Sequence, residues 1–211
     1  MTQMKMAIVS SYSESCGNSA FTKVLHDSIE YFYSNVDVEV IELDLTLLQS
    51  IDRGVRSKGD KHIKEICDRL KHFDSVNIQM EAGLYGTIPK DITKRFSKLV
   101  RANKNTSVTL HSPRLIRASQ AARNAIKKLL KLNIIGGLRE LIGDKYAQIH
   151  FKINEKIVKL SISNHARIIV HTLRAKKQID NLFTFTSTFI SPINDESPLP
   201  KPFLILNVPI M

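Results

Sequence analysis

Asp74-Ser-Val-Asn-Ile-Gln-Met-Glu-Ala-Gly-Leu-Tyr-Gly86, followed about twenty residues later by Ser107-Val-Thr-Leu-His-Ser-Pro113, is the stretch whose reading decides the fold class. Each half is a short apolar run that stops abruptly at polar or ionisable residues. A buried parallel strand has this form when its carboxyl end opens into a site. Glu81 and His111 stand at two such ends, and neighbouring strands of one sheet would carry both to the same rim.

Working outward, 5–10 is a compact apolar strand. The polar loop Ser11-Tyr-Ser-Glu-Ser-Cys-Gly-Asn18 leads into a helix over 19–33, marked by Phe21, Val24, Leu25, Ile29 and Phe32 at helical spacing. Val36, Val38 and Val40 alternate with Asp37 and Glu39, as in a half-exposed strand. The segment 44–58 reads as a long loop. Helical spacing returns over 60–72 through Ile63, Ile66 and Leu70, 76–80 is the third strand, and Pro89 opens a helix over about 90–103, where its missing N–H does no harm. A fourth strand covers 107–110 and a helix about 115–133; Gly136-Gly137 interrupts it before a short helical turn near 138–142. The segments 146–152 and 156–161 read as short strands, 167–171 as a strand, 173–182 as a helix and 183–190 as a last strand. This alternation predicts an α/β fold, a Rossmann-like and mostly parallel sheet with right-handed crossovers and helices on both faces.

The domain so defined spans 1–190. Residues 191–202 hold four prolines among small and charged residues and read as a linker. The apolar run 203–211 then reads as the first strand of a second domain, or as an edge strand added to the existing sheet.

With 211 residues the chain can bury a large core. Its 43% hydrophobic and 24% charged content places it among globular proteins rather than disordered or fibrous ones. No apolar run approaches the ~20 residues that cross a bilayer, and the first residues lack the pattern of a signal peptide, so a cytoplasmic location is expected. Cys16 and Cys67 lack metal-ligand spacing and are expected to be free thiols, with no metal centre. The net charge of +11 is localised: 92–139 contains twelve Lys or Arg and no Asp or Glu, whereas nineteen basic and twenty acidic residues make up the rest. Such a block argues for a local anionic partner rather than a generally adhesive surface.

Four segments carry a resemblance. Met6-Ala-Ile-Val-Ser-Ser-Tyr-Ser-Glu-Ser-Cys-Gly-Asn-Ser-Ala-Phe-Thr22 is an opening strand with a glycine loop, and Phe73-Asp-Ser-Val-Asn-Ile-Gln-Met-Glu-Ala-Gly-Leu-Tyr-Gly86 is a strand leading to Gln, Glu and two glycines. Val108-Thr-Leu-His-Ser-Pro113 is a strand ending in histidine, and Ala166-Arg-Ile-Ile-Val-His-Thr172 is a later strand near the crossover. In this order they resemble the N-terminal half of a two-domain GT-B glycosyltransferase of the retaining, nucleotide-sugar-dependent kind, over most of 4–205. The resemblance implies an acceptor-binding half that faces a second domain, with the nucleotide-sugar donor held mainly by that second domain or by a second chain. It departs from the family at Ser13-Glu14, where proline is common, and the motif that grips the donor belongs to the other half.

The resemblance makes His111 the catalytic candidate, hydrogen-bonded beside the transferred sugar, and gives Gly17, Glu81 and Gly83 to substrate binding. Gly17 would let backbone amides approach phosphate or acceptor, with the helix N-terminus near Asn18 adding partial positive charge. It also reads as an ordinary turn glycine. Glu81 would orient an acceptor hydroxyl or stand as a salt-bridged rim carboxylate, and His171 reads as structural. No cofactor is implied beyond the nucleotide-sugar substrate; the acceptor is a glycan or a lipid-linked molecule. From other classes come a non-catalytic binding module of the same fold and a generic nucleotide-binding α/β protein.

Within the basic block, a helix over 115–133 would gather Leu115, Ala118, Ala122, Ala125, Ile126, Leu129 and Leu130 on one arc and Arg117, Arg123, Lys127, Lys128 and Lys131 on the other. Such a helix suits an anionic membrane surface, or packs its apolar arc on the sheet and leaves its charges solvated. Nucleic acid is the weaker claimant, because the block has little aromatic interleaving and no reader motif.

Overall fold

Six parallel strands form one sheet in the order β2-β1-β3-β4-β5-β6 in the computed structural model, which describes residues 3–13, 17–111, 113, 115, 134–183 and 188–190. They are β1 (Met4–Ser10), β2 (Val36–Glu42), β3 (Ser75–Met80), β4 (Thr106–Leu110), β5 (Arg167–Val170) and β6 (Thr188–Ile190). Between them run α1 (Gly17–Phe32), α2 (Leu45–Leu48), α3 (Arg53–Leu70), a 3₁₀ turn at Ala82–Tyr85, α4 (Pro89–Leu99), α5 (Ile134–Ser163) and α6 (Leu173–Phe183). The register sets Ile8 beside Asn77, Ile78 beside Val108 and Val108 beside Ile168. The α/β class read from the sequence is the fold observed. The helix over 115–133 with its five basic residues, the linker 191–202 and the run 203–211 lie outside the described residues, apart from the buried Leu115.

Strand alternation divides the core in two. Met6 and Ile8 of β1 pack with Ile29 and Leu25 of α1 on one face. Ala7 and Val9 look the other way, into a larger core built with Ile63, Ile66 and Leu70 of α3, Phe96 and Leu99 of α4, Ile157 and Val158 of α5, and Ile179 of α6. The α1-side face changes character along the sheet. Asn77, Gln79 and Thr109 are buried there, where β1 offers aliphatic side chains.

Two sequence expectations are corrected. The segment 44–58 is not a loop: α2 and the first turns of α3 lie in it. Gly54 and Gly59 hid this helix, but the Asp52 side chain caps α3 by accepting from the Val55 N–H at 2.9 Å. Gly59 serves close packing, since a Cβ there would lie 2.9 Å from the Leu47 carbonyl oxygen. The paired strands at 146–152 and 156–161 are instead one helix, α5, which also runs through Gly136-Gly137. Ile149, Phe151 and Ile153 alternate as strand residues do, yet Ile149 is exposed while Phe151 and Ile153 are buried. The period of two arises because half of α5 carries apolar residues on its outer surface.

Candidate functional site

From β1 the chain winds through α1 to β2 on one side, then crosses through α3 to β3 on the other. The direction of winding reverses between β1 and β3, and in open α/β sheets the crevice at such a reversal, outside the strands' carboxyl ends, receives ligands. Here the loop after β1 and the turn after β3 border it.

Asn18, in the first turn of α1, ties the two borders together: its Nδ2 donates to the Glu81 carboxylate. Behind it, Thr22 Oγ1 lies 2.7 Å from both the Asn18 carbonyl oxygen and Ser10 Oγ, both contacts buried. The hydroxyl proton goes to the carbonyl, so Ser10 donates in turn. At the end of β2, Glu42 accepts from the Tyr12 N–H at 3.2 Å and from Ser13 Oγ at 2.7 Å. Burial acts to raise its pKa, but the Ser13 and Tyr12 hydrogen bonds outweigh it and hold the carboxyl below the ordinary range. The α1 first turn contains no acidic residue, so nothing within the helix offsets its partial positive charge.

Gly17 and Gly83 share one property: among the described residues, a Cβ at either would meet nothing within 4 Å. Neither has a positive φ; among the described glycines that conformation belongs to Gly86, at 149°. Packing among the described residues therefore gives no reason for glycine at positions 17 and 83. The Gly83 carbonyl accepts from Gln49 Nε2 at 3.0 Å, which fastens the turn after β3 to α2.

Arg95, on α4 and 1% exposed, supports that turn from beneath. Its Nη1 donates to the carbonyls of Leu48 and Tyr85 at 2.8 and 2.9 Å, its Nη2 to Arg56 at 3.1 Å, and its Nε to Asp60 Oδ1 at 2.9 Å. Gly86 makes room, since a Cβ there would lie 3.2 Å from the guanidinium. The sequence reading missed Arg95 because a buried arginine carries no local signal on an otherwise amphipathic helix. It missed Asn18 and Gln79 too, although two amides at period two in a buried strand (Asn77 and Gln79) were a legible anomaly.

His111 continues the ladder, its N–H donating to the Met80 carbonyl at 3.3 Å. Its Nε2 lies 2.6 Å from Gln79 Oε1. Phe21, one turn beyond Gly17, meets both His111 and His171 at 5.0 Å between ring centroids, and the two imidazoles are 4.9 Å apart. Burial first, and the charge of His171 second, push the His111 pKa down to about 4, so its ring is neutral near pH 7. Burial lowers His171 as well. Gly17, Asn18, Glu81 and His111 thus share the carboxyl edge, with Phe21 bridging α1 to β4 and β5; Gly83 is drawn toward α2. Cys67 is a half-buried free thiol pushed up to about 11 by burial, which removes it from nucleophilic chemistry near neutral pH. Among the described residues, no helix is long and apolar enough to cross a membrane.

No family model matches this sequence, and no curated protein does. Among solved structures, an oxidoreductase from Corynebacterium diphtheriae is a neighbour at 14% identity, covering 76% of this chain and 98% of its own, with a TM-score of 0.29. At that score the likeness carries no argument about chemistry.

Proposed function

We propose that this chain binds a mononucleotide, its phosphate at the N-terminus of α1 and its remainder along the carboxyl edge toward β4. The observation that carries this reading is the strand order β2-β1-β3, which places a winding reversal beside Gly17. In sheets of order 2-1-3-4-5 that reversal is the general ligand position, occupied by FMN in some of them. The open space at Gly17 and Gly83 supports close approach of a ligand to backbone, and the exposed Glu81 offers an acceptor to a sugar hydroxyl. Titration with FMN, followed by quenching of flavin fluorescence, tests it: saturable binding displaced by inorganic phosphate and weakened by Gly17→Val supports the reading, and binding indifferent to Gly17→Val sinks it.

Glycosyl transfer is a second proposal, favoured by the neutral imidazole of His111 at the end of β4. In it this chain is the acceptor half, and a partner domain supplies the donor site. It requires UDP-sugar turnover on addition of that domain, lost in His111→Ala with the fold intact. The basic residues Arg117, Arg123, Lys127, Lys128 and Lys131 are proposed to hold the chain on anionic lipid, at ~1 kcal/mol each. Equal binding to neutral and anionic vesicles, or no loss with Lys127→Glu and Lys128→Glu together, removes that role.

A further inference from the structure

The hydrogen bonds on the polar face of β3 and β4 have a direction. Ser107 Oγ donates to the Val76 carbonyl at 3.2 Å, and a carbonyl only accepts, so this hydroxyl has spent its proton. It must therefore receive from Asn77, whose Nδ2 lies 2.9 Å away and also reaches Thr109 Oγ1 at 3.1 Å. The Asn77 amide is thereby oriented, and its Oδ1 accepts from Gln79 Nε2. That in turn aims Gln79 Oε1 at His111 Nε2, 2.6 Å away. An amide oxygen has no proton to give, so Nε2 carries the ring hydrogen. A neutral imidazole has one N–H, which leaves the lone pair on Nδ1.

We propose that the Ser107–Asn77–Gln79 chain fixes His111 as a hydrogen-bond acceptor through Nδ1, and that the ligand of the β1/β3 crevice presents an N–H or O–H to it. The ligand half of this inference rests on the mononucleotide reading; the tautomer does not. Burial and His171 keep the ring from protonating near neutral pH, so it stays an acceptor under ordinary conditions. The two ends of the site then want opposite chemistry. The α1 N-terminus favours an anion, whereas the Nδ1 lone pair repels one and takes an uncharged donor, such as the N–H of a heterocyclic imide or a sugar hydroxyl. A molecule carrying both groups is selected over inorganic phosphate. Gln79 is a positioning residue in this scheme, acting on the ligand through His111.

Long-range ¹H–¹⁵N correlation on histidine-labelled protein at pH 7 reads the tautomer directly. The low-field, unprotonated nitrogen of His111 is expected to be Nδ1, at its limiting position and without averaging. A low-field Nε2, or two averaged nitrogens, overturns the proposal, and this wild-type spectrum decides whether or not any variant folds. For the ligand arm, Gln79→Met is expected to weaken FMN binding about tenfold, the loss of one neutral hydrogen bond, while leaving the competing affinity of inorganic phosphate unchanged. Equal FMN affinity in the variant, with phosphate still competing, overturns the ligand arm alone. Failure of wild-type protein to bind either FMN or phosphate overturns the mononucleotide reading and that arm with it, the spectrum still ruling on the tautomer.

Discussion

Arg95 is the residue on which the turn after β3 rests. Four of its five N–H groups meet three backbone carbonyls and the Asp60 carboxylate; Asp60 also takes the Lys94 ammonium at 2.6 Å. Arg95→Leu would remove the guanidinium donor from the buried carbonyls of Leu48 and Tyr85 and leave Asp60 with Lys94 alone, and should cost about 3–5 kcal/mol, read by chemical denaturation. The glycines divide by the same logic. Gly86→Ala forces a side chain into a positive φ beside the guanidinium and should cost about 1–3 kcal/mol, whereas Gly83→Ala should leave stability within ~0.5 kcal/mol of wild type, since its Cβ meets open space. His111 and His171 give the pH dependence its sign. Their folded pKa values lie below the unfolded ~6.5, so the unfolded chain binds more protons as the pH falls below that value; for His111 the stability present above pH 6.5 is lost on the way to about 4, and burial gives His171 an effect of the same sign. Each imidazole contributes at most ~1.4 kcal/mol per pH unit. The melting temperature should therefore fall between pH 6.5 and 5, and replacing His111 by Gln should flatten that slope. A slope unchanged in the variant would place the titration elsewhere.

At the scale of the element, α5 is two helices in one. Its 30 residues extend ~45 Å, well past strands of four or five residues. The C-terminal half is seated on the sheet by Ile153, Ile157 and Val158. On the N-terminal half Ile142 and Tyr146 are 62% and 64% exposed, and Ile149, at the midpoint, is also exposed. Ile157→Ala should cost about 2–5 kcal/mol through the cavity it leaves, while Ile142→Lys should change stability by less than ~0.5 kcal/mol. Amide exchange should likewise divide the helix, fast up to about residue 150 and slow beyond it, where side chains are buried. Uniform protection along α5 would contradict this division.

For the molecule as a whole, topology and charge set what can be bound. The basic block is partly neutralised inside the fold, because Lys94 and Arg95 are answered by Asp60, an acidic residue far upstream. If the proposed mononucleotide seats at the β1/β3 reversal of the folded chain alone, a concentration a hundredfold above its dissociation constant should raise stability by ~2.7 kcal/mol. An FMN-dependent rise in melting temperature, absent in Gly17→Val, checks this at the level of the whole fold.

Local sequence determined the strands of the sheet and several helices, though not the helical state of 146–161, because a buried strand must be apolar and a helix on a sheet must repeat its apolar residues at helical spacing. It marked the strand ends at Glu81 and His111 for the same reason: apolar runs stop where the chain leaves the core. The long-range partners were decided only in three dimensions. The order of strands depends on which way each crossover winds, and no residue records that singly. The join between Asn18 and Glu81 spans 63 positions, and the contacts of Arg95 with Leu48 and Asp60 span 47 and 35. Hydrogen bonds between groups so distant in sequence form only after the backbone has been packed, so tertiary structure alone set the direction of the amide chain that ends at His111.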